Sequence, residues 1–487
     1  MSYTPPSLAD LERTPTLRRR RGGIIYQVIF SGIGLTSDGY NAQVISSANA
    51  ILKKIYPNEL TTDLKTRLSQ AYFVGIIIGA LFFGCMIDRI GRRAGVVTAT
   101  LLLLLGVILS TASNGTSIKS LIWMLIISRG ITGVGAGGEY PVCTAGATEA
   151  SNETAGLRKW RGALVAMVGD FAIDTGIVMG GNTPDDVTQG LHGAWRVFLG
   201  LGGLVPLSIF YFRYKLVTST SFVKHNVKRQ GGLSLRLYWL VAKRYWRPLI
   251  GASLCWFLYD FVAYPANLLA TPAIDGLSGG SASLIESIGY SALINFFALP
   301  GCLVGAFLLD KIGIIGFVLG GALNPIQSVF PLFIVMYGLF IASAEAGPGV
   351  ATILISSEVA PTAVRGHFIG LAAAFGKAGA AIGTVAFTAL QNQYTDAVRS
   401  QQAVFFVASG FSILGGIVTY FMIPDMPRDL EVEDHAFEEW LITQGFQPQH
   451  STEQENEQID NDDKLHQSSG DEKDLVKKEH ALDQAAR

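Results

Sequence analysis

The chain has 487 residues, 49% hydrophobic and 15% charged, where an ordinary soluble protein carries about 25% charged residues. Its 37 Lys and Arg nearly cancel its 38 Asp and Glu, which removes any general electrostatic case for nucleic acid, and the mean hydropathy is +0.36. A soluble enzyme, a disordered chain and a disulfide-stapled secreted scaffold are excluded, and a polytopic membrane protein remains.

In chain order, residues 1–22 form a basic tail with Arg13 and the run Arg18, Arg19, Arg20, Arg21. The tail lacks the apolar core and small-residue cleavage site of a signal peptide. Twelve stretches then approach the roughly 20 apolar residues that a spanning helix needs: 24–48, 68–87, 94–113, 120–146, 161–182, 195–214, 248–272, 286–309, 313–329, 331–356, 366–391 and 402–423. They are long and unbroken by charge runs, which fits helices rather than a β-barrel. The expected organisation is therefore all-α. An N-terminal six-helix half (23–215) is joined by a basic linker (216–247) to a C-terminal half (248–423). An acidic, Gln/Asn-rich tail (424–487) follows, largely disordered beyond about residue 445.

Basic residues in short loops set orientation. The N-terminal tail, the loop with Arg89, Arg92 and Arg93, the loop with Arg158, Lys159 and Arg161, and the segment 213–247 fall on one side. That side is expected to be cytoplasmic, with both termini there. Lys53, Lys54, Lys65 and Arg67 in the first exterior loop run against the bias. Asn114-Gly-Thr116 is a glycosylation sequon in an exterior loop, and Asn152-Glu-Thr154 is one on the cytoplasmic side. Cys85, Cys143, Cys255 and Cys302 lie in apolar runs without metal-ligand spacing, so they read as small core hydrophobes and no metal site is expected.

An internal repeat organises the spans. Asp88-Arg89-Ile90-Gly91 follows Gly79 at nine residues, and Asp310-Lys311-Ile312-Gly313 follows Gly301 at the same spacing, 222 residues later. The same offset carries Asp38 onto Asp260. Two six-helix halves with a site near the midplane is the repeat logic of alternating-access transporters. Asp38, Arg129, Glu139, Asp170, Asp174, Asp260, Glu345 and Lys377 all lie within predicted spans. A charge at the bilayer centre costs at least about 2.5–3.5 kcal/mol, so these need partners or a water-filled path. Arg129 is the leading candidate for a structural ion pair. Asp38, Glu139 and Asp260 are the expected proton carriers.

The segment Gly84 to Arg93, with Asp88, Arg89, Gly91 and Arg92, resembles the signature loop of the major facilitator superfamily. Its echo at Asp310 stands at the expected place in the second half. In that reading, Gly84, Asp88, Arg89, Gly91, Arg92, Arg93 and Asp310 latch the cytoplasmic helix ends. Arg129-x-x-x-Gly133-x-Gly135 also looks like the superfamily's pattern. Gly137-Gly138-Glu139-Tyr140-Pro141 is similar to the G-G-D-Y-P signature of phosphate:proton symporters. Trp256, Asp260 and Tyr264 resemble their aromatic–Asp–Tyr face, and Gly376-Lys377-Ala378-Gly379 their lysine segment. Gly349 follows Gly347-Pro348 where phosphate porters carry Asn, and Ala172 stands where they carry Gln. The lost polar contacts and gained space shift the resemblance toward glycerophosphodiester (glycerophosphoinositol) permeases.

That resemblance implies a proton-coupled importer in the plasma membrane, driven by a proton gradient without a cofactor. Its substrate is a small anionic phosphodiester or phosphate, its setting is the lipid bilayer, and it is expected to work as a monomer. A phosphodiester is a permanent anion, and Lys377 is the lysine in the middle of a predicted span, so it is the expected phosphate contact; a plain salt bridge to Asp260 is the bland alternative. Trp256, Asp260 and Tyr264 share a helical face at i, i+4 and i+8. With Tyr140 they are expected to bind substrate. Arg129, Asp170, Asp174 and Glu345 are left between substrate contact and ion pairing. His367 reads as a satisfied histidine at a helix end. Competing readings are an inorganic phosphate:proton symporter, a transporter-like nutrient receptor signalling through its tail, and an intramembrane enzyme, for which no nucleophile–base pair stands in the spans.

Overall fold

The computed structural model describes residues 33, 35–152, 191–214, 235–277, 289–290, 293–305, 330–424 and 430–446. Its helices are α1 (Leu35–Ile55), α2 (Thr62–Ile90), α3 (Arg92–Thr111), α4 (Ile118–Asn152), α5 (Leu191–Leu201), α6 (Leu204–Tyr214) and α7 (Leu235–Leu277). They are followed by α8 (Leu293–Gly305), α9 (Phe330–Ala344), α10 (Val350–Glu358), α11 (Arg365–Gln391), α12 (Ala397–Met422) and α13 (Leu430–Thr443). Eight helical stretches among the described residues are long and apolar enough to cross a membrane; α5 and α6 together make one of them. The expected spans 161–182 and 313–329, with Asp170, Asp174 and Asp310, lie outside the described residues.

Local chemistry explains the boundaries. The Thr61 side chain caps α2 by accepting from Leu64 N at 3.3 Å. The same helix ends at Gly91, whose φ of 101° places it where side chains are disfavoured; this lets α3 start at the next residue. The tenth expected span is broken at Glu345–Gly349 into a π-turn between α9 and α10. Pro348 has no N–H to give the regular ladder.

Small residues bring the helices together, as membrane bundles require. A Cβ on Gly79 would stand 2.8 Å from the Val134 carbonyl carbon, and one on Gly301, 222 residues later, 2.8 Å from that of Ala342. The second and fourth helices of each half therefore cross at equivalent glycines. Ile78, Phe82, Ile108 and Ile127 are exposed on the outside of the bundle, as a lipid-facing surface demands. Cys85 lies with Ile78 and Phe82 on that exposed face, a departure from the buried reading, while Cys143, Cys255 and Cys302 are buried.

At the basic end of the bundle, helix replaces part of the expected linker: α7 begins at Leu235. Its first turns bury Leu237, Val241 and Tyr245 against Phe437 and Leu441 of α13, which occupies the start of the acidic tail. Asp434 of α13 accepts from Thr362 N at 2.6 Å and Thr362 Oγ1 at 2.7 Å. Asn152 is buried, with its Oδ1 accepting from Leu430 N at 3.5 Å; Asn114 is exposed.

Gly133→Val drives a branched side chain into the Tyr72 carbonyl. Overpacking of this kind costs about 1–3 kcal/mol or more, and a lowered Tm of the detergent-purified variant is the expected readout.

Candidate functional site

Lys377 stands 12 residues into α11, about 18 Å along its axis, where the two halves meet. Its ammonium lies 3.2 Å from Asp260 Oδ2 and donates to Tyr264 OH at 2.6 Å, both on α7. It also sits over the rings of Tyr264 and Tyr140, 4.2 and 4.9 Å from their centroids. Lys377 and Asp260 are only 2% and 1% exposed. Among the described residues Asp260 Oδ2 accepts no well-directed hydrogen bond, so the pair is held by coulombic attraction.

Tyr140 on α4 carries this cluster into the N-terminal half. Its phenol donates to Asp38 Oδ2, and its ring meets Trp256 edge-on at 5.8 Å. Tyr72 donates to Asp38 Oδ1 at 2.7 Å. A Cβ on Gly376 would stand 2.8 Å from Trp256 Cγ and 2.9 Å from its Nε1; the absence of a side chain there lets the indole lie flat on α11. Asp38, Tyr140, Trp256, Asp260, Tyr264 and Lys377 thus form one buried constellation, drawn from spans far apart in sequence.

Other expected members stand elsewhere. Glu139, expected as a proton carrier, is committed to Arg213: Nη1 lies 2.6 Å from Oε1 and Nη2 3.2 Å from Oε2, with both side chains fully buried. Arg213 Nη1 also donates to Thr100 Oγ1 at 2.7 Å, so the pair clamps α3, α4 and α6. The charge-based grouping of Arg213 with the basic linker is corrected, since burial opposite Glu139 outweighs its nearness to other cations. Its position inside the predicted 195–214 span was the signal that could have found it. Arg129 donates to the Asn41 carbonyl at 2.9 Å and covers the Tyr72 ring at 5.0 Å. Among the described residues it meets no carboxylate. Glu345 accepts from Tyr259 OH at 2.5 Å within the C-terminal half.

The basic end of the bundle is closed by a second network. Asp88 of α2 lies 2.5 Å from Arg92 Nη1, accepts from the backbone N–H groups of Gly366 (3.2 Å) and His367 (3.0 Å), and faces His367 Nδ1 at 2.5 Å. A carboxylate from one half thereby caps the positive end of α11 in the other. Arg92 Nη2 reaches Glu149 of α4 at 2.7 Å, and Arg365 Nη1 approaches the same oxygen at 3.5 Å. Of the other latch residues, Arg89 reaches Tyr238 OH at 3.5 Å, whereas Arg93 stacks over Tyr214 at 4.9 Å within its own half. Gly84 makes the closure possible, because a Cβ there would stand 2.8 Å from the Gly366 carbonyl oxygen. Glu149 and the His367 bridge were missed from sequence. Nearer the opposite end, Gln70 Nε2 donates to the Ala381 carbonyl at 3.2 Å and Phe73 meets Tyr264 edge-on at 5.3 Å. The Lys377 constellation is enclosed between these two sets of contacts.

A helical membrane bundle with repeated halves, an enclosed charged centre at their interface and a network of contacts joining the halves at one end defines a major facilitator transporter. The structure of the proton:xylose symporter XylE of E. coli aligns with 85% of this chain and 99% of that one at TM-score 0.68 and 17% identity. The profile of the sugar (and other) transporter family matches residues 28–232 and 221–428, and the chain belongs to that family. It is 34% identical to glycerophosphoinositol permease 1 of Candida albicans, covering 91% of this chain and 88% of that protein. It is 32% identical to glycerophosphoinositol transporter 1 of Saccharomyces cerevisiae, covering 89% and 86%. The family carries solutes rather than catalysing reactions.

Two outcomes follow from the geometry. Arg213→Ala strands a fully buried Glu139, at a cost of about 3–5 kcal/mol, so the purified protein should lose thermal stability and surface expression; Glu139→Gln should do the same more mildly. Asp88→Asn removes the charge that faces Arg92 and His367, and cysteine-accessibility labelling should then show the basic end opening while equilibrium substrate affinity stays near wild type.

Proposed function

We propose that this protein is a proton-coupled symporter that imports glycerophosphodiesters, such as glycerophosphoinositol or glycerophosphocholine, across the plasma membrane by alternating access. The observation that carries the reading is the Lys377–Asp260 pair, a buried cation whose counter-charge is exchangeable. A phosphodiester monoanion competes with Asp260 for the ammonium. Protonation of Asp260 removes that competitor, and Tyr264 and Tyr140 then stay as neutral partners at the ammonium. Trp256, backed by Gly376, supplies an apolar wall with an N–H for the organic arm of the substrate. The substrate class is the one for which the permeases described above are named, and it meets the requirement for one fixed cation.

Coupling to the proton follows from the energetics of import. An anion entering a negative-inside cell climbs about 2.3 kcal/mol per charge per 100 mV. Concentrative uptake therefore needs at least one accompanying proton to neutralise the charge, and more than one for the potential to help. Asp38 and Asp260 are the carboxylates of the constellation, and Tyr140 joins them: it donates to Asp38, covers the Lys377 ammonium and touches Trp256. Loading a proton on Asp38 weakens the Tyr140 bond and changes the ring that faces Lys377. The Glu139–Arg213 pair is assigned to holding the N-terminal half together rather than to carrying the proton. With substrate and proton bound, the Asp88–His367 and Glu149–Arg365 contacts between the halves part, and the halves rock to the inward-facing state.

Uptake of radiolabelled glycerophosphoinositol into sealed vesicles with an imposed pH gradient tests this. Accumulation should follow the gradient and collapse with a protonophore, while a tenfold excess of inorganic phosphate should compete poorly. Asp38→Asn and Asp260→Asn should each lose accumulation, and Asp38→Asn should keep counterflow exchange. Lys377→Ala should reduce uptake per transporter at the surface by about 30-fold or more, as expected for truncating one partner of a buried charge contact, with the amount at the surface measured alongside because the change strands Asp260. Gradient-independent accumulation, or full competition by phosphate, would overturn the reading.

A further inference from the structure

The face of α7 that carries Trp256, Asp260 and Tyr264 continues to a residue to which the site described above gives no role. Positions 256, 260, 264 and 267 fall within roughly 80° of arc on a helix of 3.6 residues per turn, which puts Asn267 on the same face, one turn beyond Tyr264. The other side of α7 is occupied: Phe261, Val262 and Ala266 pack with Phe333, Tyr337 and Phe405 in the core of the C-terminal half. There the Ala266 carbonyl accepts from Tyr337 OH at 2.6 Å. Trp256 and Tyr264 instead belong to the cluster shared between the halves, with Tyr140 and Phe73. Asn267 thus faces the interface at which Lys377 sits.

Its chemistry there is incomplete. Asn267 is 7% exposed, and its Oδ1 has no hydrogen-bond partner among the described residues. Buried amide oxygens are nearly always satisfied, and leaving one unmet is costly. In a transporter, a polar group left unmet in one enclosed state is a natural contact for cargo in another. Asn267 lies seven residues beyond Asp260, about 10 Å along the helix axis. Inorganic phosphate held at Lys377 has no atom to reach that level, whereas a polyol esterified to the phosphate does. An amide can accept from one hydroxyl through Oδ1 and donate to a neighbouring oxygen through Nδ2, which suits a ring of adjacent hydroxyls and not a quaternary ammonium.

We infer that Asn267 is a specificity residue that hydrogen-bonds a hydroxyl of a polyol head group while Lys377 holds the phosphate. The inference deepens the phosphodiester reading and rests on it. Its test is Asn267→Leu, which keeps the side chain's branching and number of heavy atoms and removes both polar atoms, with Asn267→Ser as a smaller variant that keeps a hydroxyl. Surface expression is measured for both. Three probes are used: glycerophosphoinositol uptake, and its inhibition by glycerophosphocholine and by dimethyl phosphate, which has no head group. For Asn267→Leu the KM for glycerophosphoinositol should rise about tenfold or more, the scale of one hydrogen bond to a buried partner. The inhibition constants of the other two probes should stay within about twofold of wild type on the same reasoning, and Asn267→Ser should recover part of the loss. With the wild type active, an equal change for all three probes, or none for any, overturns the role of Asn267 alone. A Leu variant that fails to reach the surface shifts the same comparison to the Ser variant, where an unchanged ratio of the three constants overturns it. Absence of glycerophosphodiester uptake by the wild type overturns the substrate reading, and the inference with it.

Discussion

An ammonium buried in a low-dielectric interior must be answered by a negative charge, and in this protein Lys377 is answered by Asp260. Removing charge from one member strands the other where water cannot reach it. In the function proposed above, that constraint gives the pair its use: the carboxylate is replaced at the ammonium by an incoming anion, provided a proton or a new partner satisfies the carboxylate in turn. Both members belong to the C-terminal half. The N-terminal half takes part through Tyr140, whose hydroxyl is bound to Asp38 and whose ring covers the ammonium. A charge change at Asp38 on α1 is therefore felt at Lys377 on α11 through one side chain.

The network that joins the halves at the basic end obeys the same rule with different chemistry. Asp88 is fully enclosed, but its negative charge is met by Arg92, the ring of His367 and two backbone N–H groups at the start of α11. Because those N–H groups belong to the other half, the stability of the carboxylate depends on the halves being together. Opening exchanges helix-end contacts for water, which is accessible there and is not at Lys377. The glycines make both contacts possible. Gly84 and Gly370 let α2 and α11 cross closely enough for Asp88 to reach its donors, and Gly376 lets Trp256 lie against the helix that carries Lys377.

Several residues were legible one at a time and misread as pairs. Glu139 stood out as an acid beside Tyr140 and Pro141, but its partner Arg213 lies on another span, and loop-charge counting grouped that arginine with the linker. His367 was recognised as satisfied without its partner being visible, because Asp88 is 279 residues away in the chain. The start of α7 was hidden by its own composition: Arg236, Lys243, Arg244 and Arg247 make the stretch look like a solvated loop. Leu237, Val241 and Tyr245 repeat at helical spacing within it and are buried under α13. The apolar period was present, and the charges masked it.

The sequence by itself determined the class of molecule, the helical spans that can be compared with the structure, the two-fold repeat and the face of α7 that carries Trp256, Asp260 and Tyr264. Apart from the repeat, which shows as like patterns 222 residues apart, each of these is local: apolar length, helical periodicity and the spacing of a motif are written in neighbouring residues. It also marked Lys377 and Asp38 as costly charges needing partners. Only the tertiary structure decided which partners they have. It set Tyr140 between Asp38 and Lys377, spent Glu139 on Arg213, brought Asp88 to the start of α11 and left the Oδ1 of Asn267 without a partner among the described residues. Those outcomes depend on how closely helices cross and which faces meet, quantities set by glycine contacts between segments hundreds of residues apart. No local pattern encodes them.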